Sequence, residues 1–189
     1  VFEDFMLLIA YEVAIAVDLG YKCTFNRKID EVRLEKRLEA YKKTIEKYQE
    51  PEKEQFKKFY ELLCDGLTRK RTDLLGQIFM ELNLGDGKYK GQYFTPPHMA
   101  EFMASIGTTQ KFETEIANKG YVTMSDPCIG AGVMAISFCE ALREKGCHFW
   151  NMFVEGADID KKACYMSYIQ LSLLGIPAVI FHRDSLSMQ

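Results

Sequence analysis

Three acidic residues each stand where the sequence predicts a β-strand to end. Asp126 closes "YVTMSD", Asp158 closes "NMFVEGAD", and Asp184 follows "AVIFH". If the three strands are parallel, their carboxyl ends meet at one edge of the sheet, where nucleotide-like ligands bind. Carboxylates at that edge accept hydrogen bonds from ribose hydroxyls or an amino group, each contributing about 1.5–3 kcal/mol. The alternative is that Asp158 or Asp160 caps the next helix and that Asp184 only closes a strand.

The stretch "SDPCIGAGVMAI" places two glycines where one of these strands would turn into a helix. Gly130 and Gly132 permit backbone angles and close approaches that a Cβ atom blocks. A helix starting at Ala131 offers free N–H groups and the positive end of its dipole, worth ~0.3–1 kcal/mol to a negative group. Taken alone, the pattern fits a ligand turn and a tightly packed strand-to-helix turn equally well.

The order of elements predicts the fold class. Strands over 121–126, 151–158 and 178–182 alternate with helices over 131–145 and 160–174. This order indicates an α/β fold with about three parallel strands and right-handed crossovers. The residues before it are nearly all helical, so we divide the chain into a helical region, 1–90, and a sheet-containing domain, 91–189.

Composition and charge exclude several classes of protein. The six cysteines form no C-x-x-C pair and the three histidines are scattered, which argues against a zinc site and a disulfide framework and predicts a reducing, cytoplasmic location. The apolar opening segment is too short to span a bilayer and lacks the features of a signal peptide, so no membrane role is expected. A surplus of lysine and arginine over 27–58 would suit a nucleic-acid-binding helical module, although a solvated helix face is the commoner meaning.

Four motifs together resemble a known family. "GQYFTP" (91–96) is followed about thirty residues later by the D-P-x-x-G-x-G turn, then by "GADIDKKACYMSYIQLSLLGI" and "RDSL". In this order they are similar to the N-6 adenine DNA methylases, especially the modification subunits of type I restriction systems, over residues 72–187. Within the first motif, Thr95 is predicted to be the N-cap of a helix, with Pro96 at its first position.

The resemblance implies a partial Rossmann-like sheet that binds S-adenosylmethionine. By position, the methionine end would contact Tyr93, Phe94 and Thr95, and the turn beneath it would comprise Asp126, Cys128, Gly130 and Gly132. Asp158 would bind the ribose, Ile159 would touch the adenine, and Asp184 would accept from the adenine amino group. The chain departs from the family at "Cys128-Ile129" and at Asp158, where glutamate is usual.

The family's catalytic motif, Asn or Asp followed by Pro-Pro and an aromatic residue after strand four, is not found in these 189 residues. The one Pro-Pro pair stands in "TPPH" and is a poor substitute, so no catalytic residue is assigned. The chain starts at Val1, which suggests a longer gene product. Without a fourth strand, the first would lie at an edge that the helical region or a second copy of the chain is expected to cover.

The leading hypothesis is therefore the cofactor-binding part of a DNA adenine-N6 methyltransferase of a restriction-modification system. Double-stranded DNA would be bound through other domains or subunits, with a specificity subunit or a homodimer as possible assemblies and no metal. Alternatives are a non-catalytic cofactor-binding or partner-binding protein of the same descent, and a methyltransferase acting on small molecules.

Overall fold

The computed structural model describes residues 1–25, 28–84 and 94–187. They form two compact units, Val1–Leu63 and Cys64–Gln189. The helices are α1 (Phe2–Phe25), α2 (Glu31–Ile45), α3 (Glu50–Arg69), α4 (Leu74–Glu81), α5 (Pro97–Gly107), α6 (Gln110–Lys119), α7 (Val133–Glu144) and α8 (Lys161–Leu173). The strands are β1 (Val122–Asp126), β2 (Met152–Asp158) and β3 (Ala178–His182).

The first unit is helical, as the sequence predicts. The ring of Phe5 on α1 packs against Phe56 and Phe59 of α3, with ring centroids 5.2 and 4.8 Å away. The charged residues of α2 are partly used inside the same unit, because Arg33 and Arg37 both donate to the buried carboxylate of Asp18. These ion pairs favour a structural role for at least part of the basic surplus over the nucleic-acid-binding alternative.

The second unit contains the predicted parallel sheet. Its strand order is β1-β2-β3, with Val122 opposite Met152 and Val154 opposite Ala178. All three strands and both intervening helices lie within two residues of their predicted limits. In the part of the chain that the structure describes, β1 is an edge strand with β2 as its strand neighbour.

One face of the sheet is covered by the crossover helices. Because α7 joins β1 to β2 and α8 joins β2 to β3 in the same direction, right-handed crossovers place both helices on one face. The side chains that face them, including Val122, Met152 and Val154, are buried. On the other face Phe153, Val179 and Phe181 stay partly exposed.

Two details of the helices differ from the sequence predictions. Thr95 is not the N-cap of α5; Pro96 takes that place, and Pro97 is the first helical residue. The reason is that a residue preceding proline is held away from the helical region, so Pro96 stays extended at φ −58° and ψ 140°. In addition, α6 was not anticipated; it ends at Gly120, whose φ of +86° only glycine adopts readily.

None of the helices within the described ranges is both long enough and apolar enough to cross a membrane.

Candidate cofactor site at the carboxyl ends of the strands

The turn after β1 is shaped by three glycines. Gly130 and Gly132 have φ values of +56° and +96°, which disfavour any residue with a Cβ atom. The N–H of Ile129 donates to the carbonyl of Ala157 at 2.9 Å and fixes the turn on β2. The side chain of Ile129 packs against Gly156, where an added Cβ would lie 2.3 Å from its Cδ1 atom. The turn is thus pressed onto the sheet where the second strand has no side chain.

Asp158 joins the turn after β1 to the turn after β2. Its Oδ2 accepts from the N–H of Gly130 at 2.9 Å, and its Oδ1 accepts from the N–H of Asp160 at 2.9 Å. Each carboxylate oxygen has a second lone pair, so both can accept one more hydrogen bond from a ligand. Asp158 therefore lies at the predicted edge with its orientation already fixed.

Asp160 has the helix-capping role that the sequence offers as the alternative to ligand binding. It is buried, and its Oδ1 accepts from the N–H of Lys162 at 2.9 Å at the start of α8. The two neighbouring acids therefore have separate roles: Asp160 satisfies the helix, while Asp158 bridges the turns.

Asp126 carries a carboxyl group whose charge is disfavoured. Its Oδ1 accepts from the N–H of Cys128 at 3.1 Å, and among the described residues its Oδ2 has no hydrogen-bond partner. Burial raises the pKa of Asp126; the Cys128 bond opposes the rise, and the negative charge of Asp158 adds to it. A cationic ligand group beside Asp126 would offset this penalty.

The loop after β3 closes the same edge. The hydroxyl of Ser185 donates to the carbonyl of Pro127 at 2.6 Å, which brings this loop to the turn after β1. Asp184 Oδ1 accepts from the N–H groups of Leu186 and Ser187, and these bonds, that of Leu186 foremost, lower the pKa of Asp184. A charged acceptor is thus held in the third loop.

Apolar groups border these carboxylates. Phe94 lies against Gly130, where an added Cβ would be 3.0 Å from its Cδ1 atom. The side chain of Ile159 is 53% exposed and free to contact a flat ligand. Thr95 is partly buried just before α5, Cys128 is exposed, and Tyr93 lies outside the described residues. The roles assigned to all these residues toward a ligand stay predictions.

A buried polar anchor beneath the turn was missed by the sequence reasoning. Gln170 on α8 is fully buried; its Nε2 donates to Asp73 Oδ1 at 2.9 Å and to the carbonyl of Ala131 at 2.8 Å. Its Oε1 accepts from the N–H groups of Leu74 and Leu75. We call this cluster of Asp73, Gln170 and Ala131 the anchor, since it ties the start of α4 to the glycine turn.

Two sequence signals could have revealed the anchor. Gln170 stands between apolar neighbours in the run "YIQLSLLGI", and a large polar side chain in a buried helix needs partners. Asp73 precedes "LLG", and it does cap α4 by accepting from the N–H of Gly76 at 2.7 Å. Burial raises the pKa of Asp73, with the bonds from Gln170 and Gly76 opposing the rise.

The residues at this edge fit the chemistry of S-adenosylmethionine. That cofactor presents an ammonium group, a cationic sulfonium, two ribose hydroxyls and an adenine amino group, all of which suit carboxylate acceptors. Three carboxylates with room to accept, a turn without side chains at Gly130 and Gly132, and the apolar Phe94 and Ile159 match these groups. No cluster of histidine, cysteine or acidic side chains able to hold a metal ion occurs in ranges 1–25, 28–84 and 94–187.

Comparison with known proteins gives two findings about this chain. It is similar in structure to a candidate class I S-adenosylmethionine-dependent methyltransferase from Listeria monocytogenes, with 18% identity and a TM-score of 0.47. That match covers 96% of this chain and 54% of the other, so the chain spans about half the length of that protein. No curated protein sequence matches. The sequence profile of the N-6 DNA methylase family matches residues 70–189, which include β1 to β3, the glycine turn and the anchor; the chain belongs to the N-6 DNA methylase family.

Proposed function

We propose that this chain binds S-adenosylmethionine as the cofactor-binding part of a DNA adenine-N6 methyltransferase of a restriction-modification system. Membership of the N-6 DNA methylase family supports the cofactor and the reaction class. The single observation that carries the binding role is the bridge from Gly130 through Asp158 to Asp160. It holds a carboxylate at the carboxyl edge of the sheet, with lone pairs left for two further donors.

Each end of the cofactor has a partner in this proposal. Asp158 accepts from the ribose hydroxyls, Ile159 lies against the adenine, and Asp184 accepts from its amino group. Asp126 faces the ammonium group of the methionine part, and Phe94 borders the same end over Gly130. Thr95, Cys128 and Gly132 line the path between, and Tyr93 is proposed for the methionine end on its place in the motif.

The bound cofactor supplies a methyl group on a positively charged sulfur, which makes the thioether a good leaving group. The part of this chain is to hold that methyl group in one place and to keep the cofactor oriented for an in-line approach. The residues that receive the adenine base are proposed to lie outside these 189 residues. Double-stranded DNA is the proposed substrate, reached through other domains or subunits, with a specificity subunit or a homodimer as the assembly.

A cytoplasmic location is part of the same proposal. All six cysteines are free thiols. Burial, the foremost cause, raises the pKa of Cys139 and of Cys164 to about 12, so these two are unreactive as thiolates. Such a set of thiols suits a reducing compartment, where the DNA substrate is also found.

Calorimetric titration of the 189-residue chain with S-adenosylmethionine tests the binding role. One site per chain is expected, and Asp158→Asn should weaken it by about 10- to 100-fold, because a charge-assisted hydrogen bond contributes about 1.5–3 kcal/mol. Glu155→Gln is the matched control: it removes the same charge on the same strand, but from the opposite face of the sheet. Absence of binding by the unaltered chain would contradict the proposal.

Titration with halves of the cofactor tests the assignment of the two ends. Adenosine affinity should fall in Asp158→Asn and in Asp184→Asn but not in Asp126→Asn. The ability of methionine to compete with the cofactor should weaken in Asp126→Asn and stay unchanged in the other two variants. If all three variants affect both halves equally, the carboxylates act on the fold of the turns and not on separate parts of the ligand.

A further inference from the structure

The backbone of the loop after β2 is held from the end of β3. The N–H of Arg183 donates to the carbonyl of Asp158 at 3.0 Å, and the thiol of Cys164 donates to the same carbonyl at 3.5 Å. The register pairs Asp158 with His182, so Ile159 is the first residue beyond the pairing of the two strands. The carbonyl of Ile159 therefore lies past the ladder, where a side chain or water satisfies it.

The side chain of His182 supplies that partner. Its Nε2 atom lies 3.1 Å from the carbonyl oxygen of Ile159. Because a carbonyl only accepts, Nε2 carries the hydrogen and donates. One tautomer of the neutral imidazole makes this bond, and so does the imidazolium. The bond crosses from the last residue of β3 to the loop after β2.

The bonds to the two carbonyls together fix the direction of the Ile159 side chain. The carbonyl of Asp158 belongs to the peptide plane before the Cα atom of Ile159, and the carbonyl of Ile159 belongs to the plane after it. Since peptide planes are rigid, two dihedral angles at that Cα atom relate one plane to the other. Both planes are held from the end of β3, so these angles and the Cα–Cβ bond are fixed as well.

The side chain that is fixed in this way lies beside the candidate cofactor carboxylate. Asp158 on one side of Ile159 bridges to Gly130, and Asp160 on the other side caps α8. Between them the side chain of Ile159 is 53% exposed. Ordering an exposed side chain on a ligand costs conformational entropy, and a backbone that is already held reduces this cost.

We propose that His182 is a positioning residue for the adenine half of S-adenosylmethionine, an inference that rests on the cofactor role proposed above. By holding the carbonyl of Ile159, His182 sets the direction in which the Ile159 side chain meets the face of the base. It acts through Ile159 and needs no contact of its own with the cofactor.

Calorimetric titration of the full 189-residue chain with adenosine tests this role. His182→Phe keeps a ring but removes the donor, and adenosine affinity should fall by about three- to tenfold, the range of one lost hydrogen bond. The ability of methionine to compete with the cofactor should stay unchanged. His182→Gln places an amide donor near the position of Nε2 and should restore most of the adenosine affinity. Unchanged adenosine affinity in His182→Phe, or equal loss for both halves, would overturn the proposal.

His148→Phe is the matched control. His148 is also exposed, but it precedes β2 at the opposite end of the sheet, where it stacks on Trp150 with ring centroids 4.2 Å apart. Phenylalanine can keep this stacking, so adenosine affinity should not change. A loss as large as that in His182→Phe would contradict a role specific to His182.

A double-mutant cycle tests whether His182 acts through Ile159. Ile159→Ala removes the side chain that the bond positions, so His182→Phe should have little further effect on adenosine affinity in that background. Full additivity of the two losses would mean that His182 contacts the base itself or acts elsewhere. That result would overturn the positioning role.

A measurement on the free chain separates this inference from the proposed function. The Cδ1 methyl group of Ile159, labelled with carbon-13, reports the order of the side chain by NMR relaxation without any ligand. Its order parameter should fall in His182→Phe and return in His182→Gln. If the unaltered chain bound no S-adenosylmethionine, the proposed function would fail, whereas an unchanged order parameter in His182→Phe would overturn the role of His182 alone.

Discussion

Asp158 and Asp73 are two carboxylates that each bind backbone N–H groups in the second unit, yet they differ in what is left over. Asp73 is 2% exposed, caps α4 and accepts from Gln170, so its surroundings are closed and satisfied. Asp158 bridges two turns at the open edge of the sheet and keeps lone pairs that face no protein donor among the described residues. A satisfied, buried carboxylate holds the fold, whereas a fixed carboxylate with spare acceptors suits a ligand.

The largest effect on stability is expected from a substitution in the anchor. Gln170→Ala should lower the free energy of unfolding by about 3–5 kcal/mol, because it leaves buried donors and an acceptor unpaired and opens a cavity. Urea denaturation followed by circular dichroism measures the loss, with Ser172→Ala on the same helix as the control. A loss below about 1 kcal/mol would show that the anchor is dispensable to the fold.

In contrast, Asp158→Asn should reduce cofactor affinity more than it reduces stability. Cofactor affinity is expected to fall by one to two orders of magnitude, while unfolding free energy drops by about 1 kcal/mol because one backbone N–H loses its acceptor. Parallel titration calorimetry and thermal unfolding give the two numbers. Should stability fall further than binding free energy, Asp158 would belong with Asp73 as a structural residue.

Asp160→Ala tests whether the residue that caps α8 acts only on stability and not on ligand binding. Loss of an N-cap costs about 1 kcal/mol of stability, and the neighbouring Asp158 keeps its two backbone hydrogen bonds and its spare lone pairs. Cofactor affinity should therefore change by less than about threefold. Denaturation and calorimetry on the same preparation check both, and a tenfold loss of affinity would show that Asp160 also acts on the ligand.

Asp126→Asn should give the smallest change in stability, and this change should be a slight gain at pH 7. Because the folded-state pKa of Asp126 is raised, the folded state favours the protonated acid, and stability falls as pH rises from about 3.8 through the raised value. The variant should consequently be slightly more stable than the unaltered chain at pH 7, by less than about 1 kcal/mol, yet bind the cofactor more weakly. A stability difference that is smaller at pH 4 than at pH 7, measured by urea denaturation, would establish the sign. A less stable variant at pH 7 would contradict it.

The sequence predicted the strands and the turns at their carboxyl ends better than the buried contacts of the helices. Strand-to-helix turns carry local signals, so Gly130, Gly132 and the cap at Asp160 could be placed from neighbouring residues alone. The partners of Gln170 lie 97 residues away at Asp73 and 39 away at Ala131, and no local pattern records such distances. Thr95 failed as an N-cap for a local reason: the two prolines that follow it shift the start of α5 by one residue.

The two backbone hydrogen bonds of Asp158 could not be predicted from the sequence alone. Glutamate is usual at this place in the family, and the shorter aspartate suggested only a shorter reach toward the ribose. In the fold, the two oxygens of this aspartate accept from the N–H groups of Gly130 and Asp160.

The doubly held carboxylate of Asp158 has a consequence for the thermodynamics of binding. Ordering a free acidic side chain on a ligand costs rotamer entropy, and here the backbone has ordered it before any ligand arrives. An Asp158→Glu chain regains reach but adds a rotatable bond, so its cofactor affinity should carry a more unfavourable entropy even where the enthalpy matches. In the proposed site, this short side chain makes the edge of the sheet a rigid template, and we expect cofactor selection there to depend on the spacing of the ligand's hydroxyls more than on the flexibility of the protein.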